Sequence, residues 1–308
     1  MPSSEASLPE SPPSITRIEV EVDTRAPEGT TNAYVIGGLL VDPAARTGAL
    51  DRAIGVHGSR SADGDADVDE TDPAGVDAIA VTHTHPDHVG AVAEYADLTG
   101  ATVFAHADHV DRFADATGID PDGTFRDGDP VGGAGVRAFE TPGHAPDHVA
   151  FAAEVAVEEP GTPRDGTADG DSDDGNEPHR ELVCGDLAVA EGSVAVGAPD
   201  GDLRNYLASL ERVRDAGFDR LRPGHGPPID DPDAVCRRLI DHRLSRERAV
   251  LDAVAGGAND VDAVLSCAYE KDLTGVEDLA RATVVAHLEK LVAEGEIGGE
   301  WTARIGGR

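Results

Sequence analysis

The spacing of apolar and polar positions along the 308-residue chain predicts an α/β protein. Strand periodicity predicts strands at residues 15–22, 32–42, 102–105, 136–140, 149–157 and 181–186. Helical spacing predicts helices at residues 89–98, 203–216, 232–254 and 277–294. We expect the strand at 32–42 to turn back at Gly37-Gly38 as a hairpin. Strands that alternate with helices indicate an α/β sandwich, with a site along one edge of its sheets.

Composition divides the chain into three parts. Residues 1–14 are rich in proline and serine, so we expect a disordered leader there. The α/β pattern covers residues 15–230, and two acidic insertions of low complexity interrupt it at 58–75 and 159–180. Residues 231–308 read as a separate helical unit.

The order of elements in residues 231–308 predicts a winged-helix-like module. Helix, turn and helix are followed by a glycine-rich hairpin at residues 295–301. Such modules often bind nucleic acid, but ten acidic and five basic residues from Asp260 to Arg308 leave a net charge of -5. That charge does not favour contacts with phosphates. The alternative interpretation is a cap or a dimerisation element.

The formal net charge of -35 predicts a strongly acidic surface. Acidic residues occur along the whole chain, and only Lys271 and Lys290 are lysines. This pattern favours the solvated surface of a halophilic protein over a nucleic-acid mimic or a cation-binding protein. Three isolated cysteines without a C-x-x-C pair indicate a reducing compartment. No apolar leader or membrane-length run is present, so we expect a cytoplasmic protein.

The candidate chemistry is concentrated in the sequence THTHPDH at residues 82–88. An apolar run predicted to be a strand leads into it, and a predicted helix follows. Neutral imidazole and carboxylate are the usual protein ligands of a zinc-like ion. His83 and His85 alternate, so an extended backbone directs both to one side. After the bend at the proline, Asp87 and His88 can face a second centre, and the sequence therefore predicts a metal site.

Four motifs in this order resemble those of the metallo-β-lactamase superfamily: THTHPDH at 82–88, TPGH at 141–144, GD at 185–186 and PGHG at 223–226. The resemblance covers roughly residues 15–230 and implies an αββα sandwich with a metal-dependent hydrolase activity. The sequence PGHGPPI at 223–229, followed by Asp241-His242-Arg243 with Arg246-Glu247 and by the winged-helix-like end, resembles the lactamase-beta-like branch that includes an endoribonuclease.

The resemblance also implies two divalent metal ions, and every ligand position of the family carries the expected residue type in this sequence. The first ion would be held by His83, His85 and His144, the second by Asp87, His88 and His225, with Asp186 between them. Zn²⁺ is the metal expected for such ligands, although Mn²⁺ or Fe²⁺ would accept the same set.

Three further histidines and one ligand have expected roles beside this set. Asp87 is expected to orient a catalytic water as well as to bind metal. His148 is expected to contact the substrate or to support a ligand. His106 and His109 lie three apart on a predicted helix that ends near Gly118, and we expect them at the surface or behind the ligands.

The implied activity is hydrolysis of an ester, thioester or phosphodiester by two metal ions that activate a shared water. The substrate would be a small ester or thioester, or a single-stranded RNA, and a homodimer is an open alternative. A second hypothesis is a glyoxalase-II-type thioesterase, similar to hydroxyacylglutathione hydrolases, although no glutathione-binding tail is evident. A third is a nucleic-acid-binding regulator with a vestigial site, which the complete ligand set disfavours. A redox di-iron protein is disfavoured because His85 stands where those proteins have glutamate.

Overall fold

The structure is a computed structural model of the chain, and it describes residues 12–25, 29–56, 75–132, 135–155, 179–269 and 273–306. Nearly all of the expected leader at 1–14 and of the acidic insertions at 58–75 and 159–180 lies outside these ranges. The predictions for those segments are therefore not addressed by the structure.

The described strands form two sheets that pack face to face. The first sheet contains, in spatial order, β1 (Ile15–Glu21), β2 (Thr30–Ile36), β3 (Leu39–Val41), β4 (Ala78–Ala80), β5 (Thr102–His106) and β6 (Gly123–Phe125). The second contains, in the spatial order β10-β9-β8-β7, the strands β7 (Arg137–Glu140), β8 (Val149–Val155), β9 (His179–Gly185) and β10 (Arg220–Pro223). Ile36 pairs with Leu39, which confirms the predicted hairpin at Gly37-Gly38.

Helices cover the outer faces of both sheets. The first sheet is covered by α1 (Gly48–Ala53), α2 (Pro86–Val89), α3 (Val92–Thr99) and α4 (Val110–Thr117). The second is covered by α5 (Leu203–Ala216) and α6 (Pro232–Ala255), which continues into α7 (Val261–Ala268), α8 (Glu277–Ala293) and α9 (Glu300–Gly306).

Apolar side chains fill the space between each pair of layers. Tyr34, Leu39 and Phe151 belong to the cluster between the two sheets. Separate clusters join the first sheet to its helices around Tyr95, and the second sheet to α5 and α6 around Tyr206. The order helix, sheet, sheet and helix confirms the αββα sandwich that the sequence predicts.

The described part of residues 231–308 consists of helices joined by turns, and the predicted hairpin at 295–301 is wrong. The chain turns after α8 and then forms α9, and no strand follows β10 in the ranges that the structure describes. Trp301 and Ile305 are four residues apart and pack in one cluster with Leu288 of α8, which favours a helix over a wing. The winged-helix-like assignment is therefore not confirmed.

Two smaller predictions are also corrected. His106 ends β5 and His109 caps α4, so these residues precede the helix on which the sequence analysis places them. Strand β6 is short and was not predicted from the sequence. Among the described helices, none combines the length and the apolar character needed to cross a bilayer.

Candidate metal centre

The predicted ligands meet at one edge of the sandwich because each follows the carboxyl end of a strand. His83 and His85 follow β4, and Asp87 and His88 lie in the short helix α2 that comes next. The remaining three follow β7, β9 and β10, and they are His144, Asp186 and His225. The ends of rigid strands hold these side chains in fixed positions. Their potential ligand atoms form three overlapping groups, each within 4.8 Å.

The first group contains three histidines with converging ring nitrogens. His83 Nε2 lies 3.0 Å from His85 Nδ1, and His144 Nε2 lies 3.0 Å from the same atom. His83 is fully buried and His144 nearly so, whereas His85 is partly exposed at the mouth of the site.

The second group contains Asp87, His88 and His225, and Asp186 lies between the two groups. Asp186 Oδ1 is 3.4 Å from His225 Nε2 and 3.7 Å from His88 Nε2. Its other oxygen, Oδ2, is 3.6 Å from His144 Nε2 in the first group. One carboxylate therefore presents an oxygen to each group, which is the arrangement required of a ligand shared by two ions.

Each of the five histidines directs its other ring nitrogen away from the centre, towards an oxygen acceptor. The acceptors are Thr82 Oγ1 for His83 (3.1 Å), Asp200 Oδ2 for His85 (3.5 Å), Asp42 Oδ2 for His88 (2.9 Å), Ala195 O for His144 (2.7 Å) and Thr30 O for His225 (2.7 Å). In a neutral imidazole, an acceptor on the outer nitrogen fixes the single proton there and leaves a lone pair on the inner nitrogen.

A divalent cation fits these residues. In the first group, His85 Nδ1 would face both His83 Nε2 and His144 Nε2 at 3.0 Å with lone pairs and no proton between them, a repulsive contact that a cation relieves. His88 Nε2 of the second group and Asp186 Oδ1 between the groups are buried without a hydrogen-bond partner. Buried polar atoms without a partner are costly, and a metal ligand is one of the few roles that explains them.

Burial and charge keep His83 and His144 neutral and Asp186 ionised. Burial lowers the pKa of His83 far below its ordinary value and that of His144 to about 4. Burial raises the pKa of Asp186, but the neighbouring His225, His88 and His144 outweigh it, so its pKa lies well below the usual range. Neutral imidazole and ionised carboxylate are the forms that bind a metal.

His88 differs from the first group because carboxylates surround it. Burial lowers its pKa, but Asp42, Asp186 and Asp87 outweigh burial and raise it to about 9. Asp42 makes the closest contact, since its Oδ2 lies 2.9 Å from His88 Nδ1. The proton on Nδ1 thus has a fixed acceptor on the side away from the other ligands.

Sequence reasoning missed Asp42. This fully buried residue follows β3 and also accepts hydrogen bonds from Thr82 N (2.6 Å) and Thr82 Oγ1 (2.8 Å). Its φ of 53° lies in the left-handed region, which aspartate tolerates better than most residues. A carboxylate directly after the apolar run of β3 was the available signal.

The structure places His148 behind Asp186. His148 is 1% exposed, its Nε2 accepts the backbone N–H of Asp186 at 3.1 Å, and its Nδ1 lies 2.9 Å from Thr141 Oγ1. Burial lowers its pKa to about 3. Because both nitrogens have partners, this position suits support of Asp186 rather than contact with a substrate.

His106 and His109 lie apart from the centre. His106 Nε2 is 2.8 Å from Glu140 Oε1, and the two imidazole rings have centroids 5.0 Å apart. Within the described ranges, neither residue belongs to a group that could hold a metal ion.

Comparison with known proteins agrees with this geometry. The sequence model of the metallo-beta-lactamase superfamily matches residues 26–156. The beta-lactamase-like protein 2 homolog of Drosophila melanogaster is 29% identical over 246 residues, which are 75% of this chain and 73% of the fly protein. The thioesterase pkgB of Emericella nidulans is 30% identical over 179 residues, which are 58% of this chain and 42% of the fungal protein.

A further relative and a solved structure complete the comparison. The atrochrysone carboxyl ACP thioesterase of Aspergillus fumigatus is 29% identical over 183 residues, 58% of this chain and 47% of that protein. This chain thus spans less than half of both fungal thioesterases. A metallo-beta-lactamase family protein from Thermus thermophilus superposes with a TM-score of 0.64 and 25% identity over 92% of this chain and 95% of that one. Residues 26–156 match the metallo-β-lactamase superfamily, and the fold and the ligand geometry agree with that match.

Proposed function

We propose that this chain is a dinuclear metal hydrolase whose substrates are small thioesters or esters. The observation that supports two ions is the placement of Asp186, which presents Oδ1 to His88 and His225 and Oδ2 to His144. A mononuclear site would not need a buried carboxylate with an oxygen turned to each of two ligand groups.

The proposed ligands are those that the sequence predicts. His83, His85 and His144 would hold one ion, Asp87, His88 and His225 would hold the other, and Asp186 would contact both. Zn²⁺ suits these nitrogen and oxygen donors. Two such ions would supply an activated water and stabilise negative charge that develops on the substrate.

Hydrogen bonds from neighbouring groups fix the orientation of the proposed ligands. Asp42 holds a proton on His88 Nδ1, and the Ala195 carbonyl does the same for His144. Thr24 Oγ1 donates to Asp87 Oδ2, which leaves Asp87 Oδ1 turned towards His88. Full burial of His83 and His88 keeps bulk water from these ligands. Each contact restricts a ligand to one orientation before the substrate arrives.

The thioester class rests on the named relatives and on the charge of the chain. Two proteins of about 30% identity are named thioesterases. RNA is less suited, because a net charge of -35 repels a polyanion and no strand completes a wing in the described C-terminal unit. A glyoxalase-II-type activity is one member of the thioester class. We assign catalysis to residues 15–230 and treat 231–308 as a helical unit that supports them.

A substrate panel on metal-analysed protein in molar KCl tests the proposal. The panel contains an acyl thioester, a glutathione thioester, an aryl ester and a single-stranded RNA, and the metal content is measured in parallel. His85→Ala and Asp186→Asn should lower thioester turnover by at least about a hundredfold, because the first removes a ligand and the second replaces one carboxylate oxygen with an NH₂ group and loses the negative charge. His109→Ala is the matched control, since His109 lies outside the ligand groups and should leave turnover unchanged.

Two outcomes would contradict the proposal. RNA cleavage without thioester or ester turnover would assign another substrate class. Full metal content and full rate in both His85→Ala and Asp186→Asn would remove the ligand assignment itself.

A further inference from the structure

Residues 194–202, which we call the bridging segment, lie between the candidate metal centre and the C-terminal helices. The segment begins after β9 and ends where Asp202 caps α5. It contacts the histidine ligands on one side and helices α6 and α8 on the other. The proposed function gives no specific task to those helices, so these contacts bear on what they do.

On its inner side, the bridging segment supplies the outer acceptors of two proposed ligands of the same ion. The Ala195 carbonyl oxygen lies 2.7 Å from His144 Nδ1. Asp200 Oδ2 lies 3.5 Å from His85 Nε2. Both contacts fall on the nitrogen that faces away from the centre, so they set which nitrogen of each ring is turned inwards.

On its outer side, the same segment is fixed to the C-terminal unit. Ala198 N donates to Ala282 O of α8 at 3.1 Å. The guanidinium of Arg243 on α6, which is 3% exposed, donates to the carbonyl of Val194. Gly197 packs so closely on α8 that an added Cβ would lie 2.8 Å from Ala282 Cβ.

Arg112 of α4 fixes Asp200 from a third direction. Its Nη2 lies 3.0 Å from Asp200 Oδ2, and its Nε lies 3.1 Å from Asp147 Oδ1. Arg112 Nε also donates at 2.8 Å to the hydroxyl of Thr84, the residue between His83 and His85. Asp200 is thus connected both to the His85 ring and to the backbone segment that carries it.

We propose that the C-terminal helices support the metal centre, because they hold the bridging segment against His85 and His144. Within the bridging segment, Asp200 is a positioning residue for His85. The inference rests on the proposed assignment of these histidines as ligands. It gives α6 and α8 a task that does not require nucleic acid or a second subunit.

The first test compares Asp200→Asn with Asp127→Asn. Asp127 is the matched control, because it also forms a half-exposed ion pair with an arginine, Arg212, but contacts none of the proposed ligands. Zinc affinity is measured for each of the two ions by competition with a chromophoric chelator. Asp200→Asn should weaken the binding of one ion by about tenfold and leave the other unchanged. Asp127→Asn should change neither.

The second test acts from the side of the C-terminal helices. Gly197→Ala forces the bridging segment away from α8, whereas Gly299→Ala adds a methyl group with no atom within 4 Å. Gly197→Ala should weaken the same single ion by about tenfold and alter the absorption spectrum of the Co²⁺-substituted protein. Gly299→Ala should reproduce the wild-type values. Far-UV circular dichroism confirms that each variant is folded.

The outcomes separate this inference from the proposed function. If the wild-type protein binds fewer than two ions, the dinuclear site fails and the inference fails with it. If the wild type binds two ions and both Asp200→Asn and Gly197→Ala retain wild-type affinities and spectra, only the inference that the bridging segment positions His85 and His144 is overturned. Equal weakening of both ions would also overturn it, because that result indicates a general loss of structure.

Discussion

At the scale of single residues, the candidate centre depends on side chains that contact ligands rather than on ligands alone. Asp42 is the clearest case, since one fully buried carboxylate accepts hydrogen bonds from Thr82 N and Thr82 Oγ1 and contacts His88 Nδ1. The two residues lie 40 and 46 positions away along the chain. The carboxylate thereby joins the end of β3 to the start of the THTHPDH motif.

Replacement of Asp42 by asparagine tests this contact. Asparagine has the same shape and tolerates the left-handed backbone, but its NH₂ group must face a donor on either Thr82 or His88. We expect zinc affinity to fall by about 10- to 100-fold and the free energy of unfolding to fall by about 1–3 kcal/mol. Chelator competition and urea unfolding measure the two effects.

Asp122→Asn serves as the control for that substitution. Asp122 also accepts a backbone hydrogen bond, from Val103 N at 2.9 Å, but it contacts none of the ligands. The zinc affinity of the Asp122→Asn variant should equal that of the wild type. Wild-type affinity in Asp42→Asn as well would show that His88 needs no such partner.

At the scale of elements, the turn after β10 shows why the PGHG motif has a glycine at position 224. Gly224 N donates to Gly185 O at 2.8 Å, which brings this turn against the end of β9. A Cβ on Gly224 would lie 2.6 Å from Asp186 Oδ1 and 2.8 Å from His88 Cε1. Only glycine allows the two strand ends to approach this closely while His225 and Asp186 share one site.

Gly224→Ala should therefore damage the site more than the fold. The added methyl group must displace Asp186 or His88, so we expect at least about a tenfold loss of zinc affinity. Far-UV circular dichroism should remain that of the wild type. Gly48→Ala is the control, because its Cβ would meet only Arg52 Nη1 at an ordinary 3.5 Å. A Gly224→Ala variant with wild-type zinc binding would mean that the two side chains move without cost.

Helix α5 shows that local sequence signals can suffice to predict the bounds of an element. The helix α5 has the predicted bounds, Leu203–Ala216, because Asp202 accepts from the N–H groups of Arg204 and Asn205 and Gly217 ends the helix with a φ of 65°. Residues 295–301 had comparable turn signals, but the packing of Trp301 against α8 produced a helix there. A glycine-rich turn does not specify which element follows it.

At the scale of the whole molecule, the excess of negative charge limits the stability of the fold. The chain has 60 acidic and 25 basic residues, so most of its carboxylates cannot pair with a cation of the protein. Many of the pairs that do form are exposed, such as Arg126 with Asp108, whose side chains are each 57% exposed. Such pairs add little stability, and the remaining like charges repel one another.

Salt should therefore stabilise the fold. The Debye length falls from about 10 Å at 0.1 M salt to about 3 Å at 1 M, which screens repulsion between carboxylates. We expect the urea midpoint of unfolding to rise between about 0.1 M and about 2 M KCl. Sorbitol at matched osmolality is the control, since it is excluded from the surface but does not screen charge. An equal rise in sorbitol, or no rise in KCl, would contradict a halophilic surface.

The sequence by itself determined the fold class and the identity of the candidate ligands. Apolar periodicity is a local property, and the four motifs each lie in one short stretch, so neither needs knowledge of distant contacts. Only the tertiary structure decided how those stretches meet. It placed Asp186 between two groups of ligands, brought Asp42 to His88 and Asp200 to His85, and packed Trp301 on α8. These contacts join residues far apart in the chain, and no local pattern records which distant side chain will contact a given residue.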